Sequence, residues 1–153
     1  MLRIRDILKP QAVTANLKAT KKREALKELV ELLASDVGDQ KAIVKGLVAR
    51  ENLGSTGIGQ GIAVPHTRTN ETDTLVAAFG ISKKGVSFNA LDGEPVYIFF
   101  LLVAPPESSG PHLKALARIS RILRDSAFCA ILRTANSEED VYRLITKEDE
   151  KNQ

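Results

Sequence analysis

Apolar positions recur along this chain in two rhythms, a three-to-four-residue spacing toward both ends and unbroken runs in the middle. Ile4, Ile7 and Leu8 make a short helical pattern that Pro10 closes, and an edge strand is expected near residues 13–17. Leu26, Leu29, Val30 and Leu33 then follow at i, i+3, i+4 and i+7 with Lys and Glu between them. That spacing predicts an amphipathic helix, with Thr20 as its N-cap. Gly38 separates it from a second helix, capped by Asp39, that turns Ile43, Val44, Leu47 and Val48 inward and runs to about Glu51.

The middle of the chain reads as strands. Ile62-Ala63-Val64 is β-branched at two of three positions and is bounded by Pro65, which fixes φ and has no N–H to donate. Residues 75–81 form a second candidate, closed by Lys83-Lys84-Gly85. After a turn at 91–95, residues 96–103 are apolar on both alternating faces, as in a central strand covered by helices on either side. A third helix opens at 108–112 with Pro111 near its first turn and a buried face of Leu113, Leu116, Ile119 and Leu123. Ser126 is placed to cap a fourth, with Phe128, Ile131 and Leu132 inside. Ser137-Glu138-Glu139-Asp140 is a capping-box pattern for a fifth, using Val141, Leu144 and Ile145. Residues 147–153 are polar and expected to fray. Helices at both ends with strands between, and neither repeat nor linker, predict one α/β domain spanning residues 1–153.

Composition narrows the partners. The 153 residues suffice for one core, and 43% apolar with 27% charged residues is ordinary for a globular protein. The net charge of +3 is spread among matching acids, and no basic block interleaves with aromatics, so nucleic acid is not an expected partner. A lone cysteine, Cys129, excludes an intrachain disulfide, fits a reducing compartment and reads as core. The N-terminus lacks the apolar stretch of a signal peptide, and no run is long enough for a bilayer. A soluble, cytoplasmic chain is expected. The Lys83-Lys84 and Glu138-Glu139 pairs read as solvated faces.

Candidate chemistry concentrates in Gly54-Ser55-Thr56-Gly57-Ile58-Gly59-Gln60-Gly61, with four glycines in eight residues, followed after a short strand by His66. It is not a nucleotide loop. Gln60 and Gly61 stand where a P-loop needs Lys and Ser or Thr, Ile62 replaces the third glycine of a dinucleotide fingerprint, and the loop leaves a helix to enter a strand. His66, His112 and Cys129 lack metal-ligand spacing, and no nucleophile elbow occurs. What remains is one imidazole at a strand end beside an N–H-rich loop. Histidine can carry a phosphoryl group covalently, and main-chain N–H groups can bind its oxygens. His112, at the start of the third helix, stands on a second anion-friendly element, and such positioning could suffice without a metal.

The stretch Leu53-Gly54-Ser55-Thr56-Gly57-Ile58-Gly59-Gln60-Gly61-Ile62-Ala63-Val64-Pro65-His66 resembles the active-site signature of enzyme IIA components of the fructose/mannitol type in the bacterial sugar phosphotransferase system. Arg50-Glu51, residues 88–96 and residues 111–116 extend the resemblance over nearly the whole chain, with wording most similar to the free-standing, nitrogen-related branch. It implies a mixed β-sheet flanked by helices and no diffusible cofactor. It implies that His66 takes a phosphoryl group, through Nε2, from a phosphohistidine carrier similar to HPr. The group then passes to a IIB domain, or its presence regulates other proteins in the nitrogen or potassium manner. His112 is placed beside His66 by the same resemblance, Arg50 within reach of the phosphoryl oxygens, and Ser55, Thr56 and Gly57 in the oxygen-binding loop. Thr67 departs from the common pattern, which has a small residue there. Each assignment has a plainer counterpart: His112 as a cap or packed ring, Arg50 as a solvated side chain, Ser55 and Thr56 as turn residues. A binding module that is never phosphorylated is the alternative from another class.

Overall fold

The computed structural model describes residues 2–152. A 3-10 turn at Ile4–Asp6 leads into β1 (Leu8–Thr14), α1 (Lys22–Glu31) and α2 (Gln40–Leu53). Three short strands follow, β2 (Gly57–Gly59), β3 (Ile62–Ala63) and β4 (His66–Arg68), then the long β5 (Val76–Val86) and β6 (Val96–Ala104). Helices α3 (Ser109–Leu123), α4 (Ser126–Thr134) and α5 (Glu138–Lys151) close the chain.

The six strands make one mixed sheet in the order β1-β5-β6-β3-β2, with β4 also paired to β6. β5 and β6 run antiparallel, as do β2 and β3; β1 is parallel to β5, and both β3 and β4 are parallel to β6. Every residue from Ile98 to Ala104 is buried, so β6 is covered on both faces, as its unbroken apolar run predicts. Helices α1 and α2 pack on β5 and β4, while α3 and α4 lie against β6 and β5 and α5 runs along β1. The mixed sheet flanked by helices is therefore as expected.

Several boundaries differ from expectation for local reasons. β1 begins at Leu8 and contains Pro10, several residues ahead of the expected 13–17; as the edge strand it tolerates a residue with no N–H. Lys21, not Thr20, precedes α1, and the Thr20 carbonyl instead accepts from Ser87 N. Asp39 caps α2 as expected, accepting from Lys41 N and Ala42 N. Asp125 rather than Ser126 caps α4, one position early, because its carboxylate reaches Phe128 N. Ile131 is 53% exposed and Leu113 66% exposed, although their spacing predicts buried faces for both. In α3 the inward stripe is His112, Ala115, Arg118, Ile119 and Ile122, which an apolar count misses because two of its members are polar. Lys83 is not merely solvated: Nζ donates to the carbonyls of Arg133 and Ala135 at the end of α4.

The polar tail is the largest correction. Helix α5 continues through Lys151, and Asp149 is 1% exposed. Its carboxylate accepts from Arg118 Nε and, at 2.8 Å, from Ile4 N, joining both ends of the chain to α3. Gln153, at the end of the expected frayed segment, lies outside the described residues.

Candidate active site

His66 opens β4, opposite Leu102 of β6. Pro65 before it cannot donate to the sheet, yet its carbonyl still accepts from Leu102 N at 2.9 Å, so the strand is held in place up to the histidine. The ring is half-buried, with Nδ1 2.9 Å from the Val64 carbonyl. A carbonyl only accepts, so the neutral ring carries its proton on Nδ1 and leaves the Nε2 lone pair free.

Around this ring lies a cavity of about 350 Å³. His112 shares it, with its centroid 5.5 Å from that of His66 and the rings at 66°. His112 is only 7% exposed, and its Nδ1 is buried without a partner among the described residues. Burial, followed by the positive potential of His66 and Arg68, holds its pKa below the ordinary 6.5, so it is neutral at physiological pH. With Nδ1 lacking an acceptor, the proton belongs on Nε2, where it can donate to a ligand oxygen.

Arg50, near the end of α2, lines the same cavity, and its Nη1 donates to the Gly54 carbonyl at 2.8 Å. Helix α2 comes this close to β4 through Gly46, where an added Cβ would stand 2.9 Å from Thr67 Oγ1. The cavity also brings in Arg68 and Ser109, which the sequence reading did not single out. A signal for each existed: Arg68 is two residues past His66 on a strand, and Ser109 is three before His112 on a helix, both same-side spacings.

The glycine loop behaves otherwise. Ser55, Thr56 and Gly57 are not among the residues lining the His66 cavity. Thr56 is buried, and both its N–H and its hydroxyl donate to the Glu51 carboxylate. Gly57 N donates to Ser55 Oγ, which itself donates to the Phe88 carbonyl. Past Gly57 the chain turns back as the β2–β3 hairpin, with Gly59, Gln60 and Gly61 at φ of 95°, 57° and 78°. The glycines thus serve a tight reversal, and Ser55 and Thr56 bond within the turn segment. Glu51 is the residue that organises this segment: buried, bonded to Thr56 and paired with Lys22 Nζ at 3.0 Å. An acid two residues from a helix end gave no sequence signal for that.

Residues 6–148 match the family model described as Phosphoenolpyruvate-dependent sugar phosphotransferase system, EIIA 2. The chain belongs to this EIIA 2 family. Among similar proteins is the nitrogen regulatory protein of Bradyrhizobium diazoefficiens, 36% identical over 143 residues that cover 93% of this chain and 94% of that one. The fructose-specific EIIABC component of Bacillus subtilis is 33% identical over 150 residues, 97% of this chain but 24% of that longer protein. The crystal structure of nitrogen regulatory protein IIA-Ntr from Neisseria meningitidis matches with a TM-score of 0.86 at 31% identity, covering 92% of this chain and 97% of the other. This EIIA 2 chain thus has the fold of the family and lies close to its nitrogen regulatory members. Among the described residues no helix is long and apolar enough to cross a membrane.

Proposed function

We propose that this EIIA 2 chain is a phosphocarrier in which His66 Nε2 accepts a phosphoryl group from the phosphohistidine of an HPr-like protein. The observation that carries this is the Val64 carbonyl bound to His66 Nδ1, which leaves Nε2 as the nucleophile in a cavity shared with Arg50, Arg68 and His112. The Nε2 lone pair attacks phosphorus, the donor's P–N bond breaks, and its electron pair returns to the donor ring nitrogen. The phosphorylated His66 ring keeps Nδ1–H on Val64, which stabilises the positive charge the ring acquires. Arg50 and Arg68 neutralise the oxygens, and neutral His112 donates to one of them from Nε2. The N–H groups of Thr56 and Gly57 and the hydroxyls of Ser55 and Thr56 are engaged within the segment, and these residues hold the hairpin and Arg50's carbonyl partner in place.

The similarity to nitrogen regulatory proteins favours a regulatory output, in which the phosphorylated and free forms act differently on target proteins, as in nitrogen or potassium control. The similarity to a fructose-specific component supports a second reading, transfer onward to a IIB domain. Incubation with phosphorylated carrier should label the protein through an acid-labile, base-stable bond, and His66→Ala should abolish the label. Wild-type labelling of that variant removes the assignment. An unlabelled wild type in the presence of active carrier favours the unphosphorylated binding module. Loss of label to an added fructose-type IIB would select the sugar branch.

A further inference from the structure

A groove larger than the His66 cavity lies between α1 and α2, with a volume of about 910 Å³. Arg23 and Lys27 stand four residues apart on α1, and Lys41 and Lys45 four apart on α2; all four line the groove and all four are exposed. None of them forms an ion pair among the described residues. Like charges at this spacing destabilise a helix, and two such pairs facing one space repel across it as well. Other lysines do meet acids, Lys9 on Asp36, Lys22 on Glu51 and Lys151 on Glu148, but these four cations converge on one groove without one. The acid that lines the groove, Asp39, is turned to the amides of Lys41 and Ala42 as the cap of α2. Val44 and the aliphatic stems of the four cations supply apolar lining.

We propose that this groove binds a small organic polyphosphate, a molecule with two or more phosphate groups on an apolar or ring-bearing body, the class that includes nucleoside di- and triphosphates. Four cations in two opposed pairs match the charge of at least two phosphates, and lysine binds phosphate as a point charge without needing a glycine loop. The volume falls in the range of small-molecule sites, and the apolar lining suits the organic body. The site uses neither His66 nor its cavity, so it stands independently of the phosphocarrier reading.

The test is an amide-resolved NMR titration of the wild-type chain with ATP and with inorganic pyrophosphate, and calorimetry for affinity. Saturable one-to-one binding of ATP is expected, weaker for pyrophosphate, with shifts centred on Arg23, Lys27 and Gln40 to Lys45. The double variant Lys41→Gln/Lys45→Gln should bind at least about tenfold more weakly, while its thermal midpoint without ligand stays level or rises. The charge-matched Lys84→Gln/Lys147→Gln and the variant His66→Ala should bind like wild type. Any of four results would overturn the proposal: no saturation with ATP, shifts centred on the His66 cavity, equal weakening by the charge-matched control, or binding only to vesicles of anionic phospholipid.

Discussion

A single carbonyl decides what His66 can do. Because Val64 O occupies Nδ1, the tautomer and the orientation of the neutral ring are set before any partner arrives, and Nε2 is the nitrogen left open. His112 is tuned in the opposite way, by burial and by the nearby cations, toward neutrality. Its folded-state pKa lies below the ordinary 6.5, so the unfolded chain binds this proton more readily than the folded one. Stability is therefore fully retained above pH 6.5 and declines as pH falls from there to the folded-state value. Urea unfolding over that window should show the decline, and His112→Leu should flatten it. The same substitution should slow labelling of His66 by on the order of 10²-fold if the ring donates to the transferring group. An unchanged rate would leave it a packing residue.

At the level of elements, the link between α2 and the β2–β3 hairpin places Arg50. Its guanidinium rests on the Gly54 carbonyl, and Gly54 sits between Glu51 and the Thr56 that Glu51 binds. Lys22 of α1 completes the arrangement, reaching Glu51 while lying over the Phe88 ring at 4.6 Å. Thr56→Val would strip one donor from a buried carboxylate, and a loss of about 1–3 kcal/mol in urea unfolding is expected. Hydrogen exchange at residues 54–57 should rise in the same variant. A neutral outcome would mean that the hairpin is held by its ladder alone.

For the molecule as a whole, the closing helix is part of the fold rather than an appendage. Asp149 of α5 meets Arg118 of α3 and the N-terminal turn in one buried cluster, so the two ends of the chain are tied to the helix that carries His112. Asp149→Ala strands a buried guanidinium and should cost about 3–5 kcal/mol, measured by chemical denaturation. Replacing both partners by apolar residues should recover most of that loss. A cost within the range of an ordinary surface change would show that Arg118 finds water instead.

Much of this was legible in residue order because the relevant physics is local. The spacing of Leu26, Leu29 and Val30, the cap at Asp39, and the two-faced apolar run of β6 depend on near neighbours, and each appears in the structure where periodicity puts it, while Leu33 is buried in the turn just past α1. The resemblance around His66 likewise placed Arg50 and His112, which the fold brings to one cavity. Contacts between distant segments were not legible. Arg68 and Ser109 reach the site through the pairing of β4 with β6 and the angle of α3, and the N–H groups of Thr56 and Gly57 go to Glu51 and Ser55, contacts that residue order does not display. The polar tail continues as helix, its buried residue Asp149 held by a partner 31 residues away. Short-range preference follows from the order of side chains. Which donors remain free, and which charges find partners, is settled when remote segments meet and compete for the same groups.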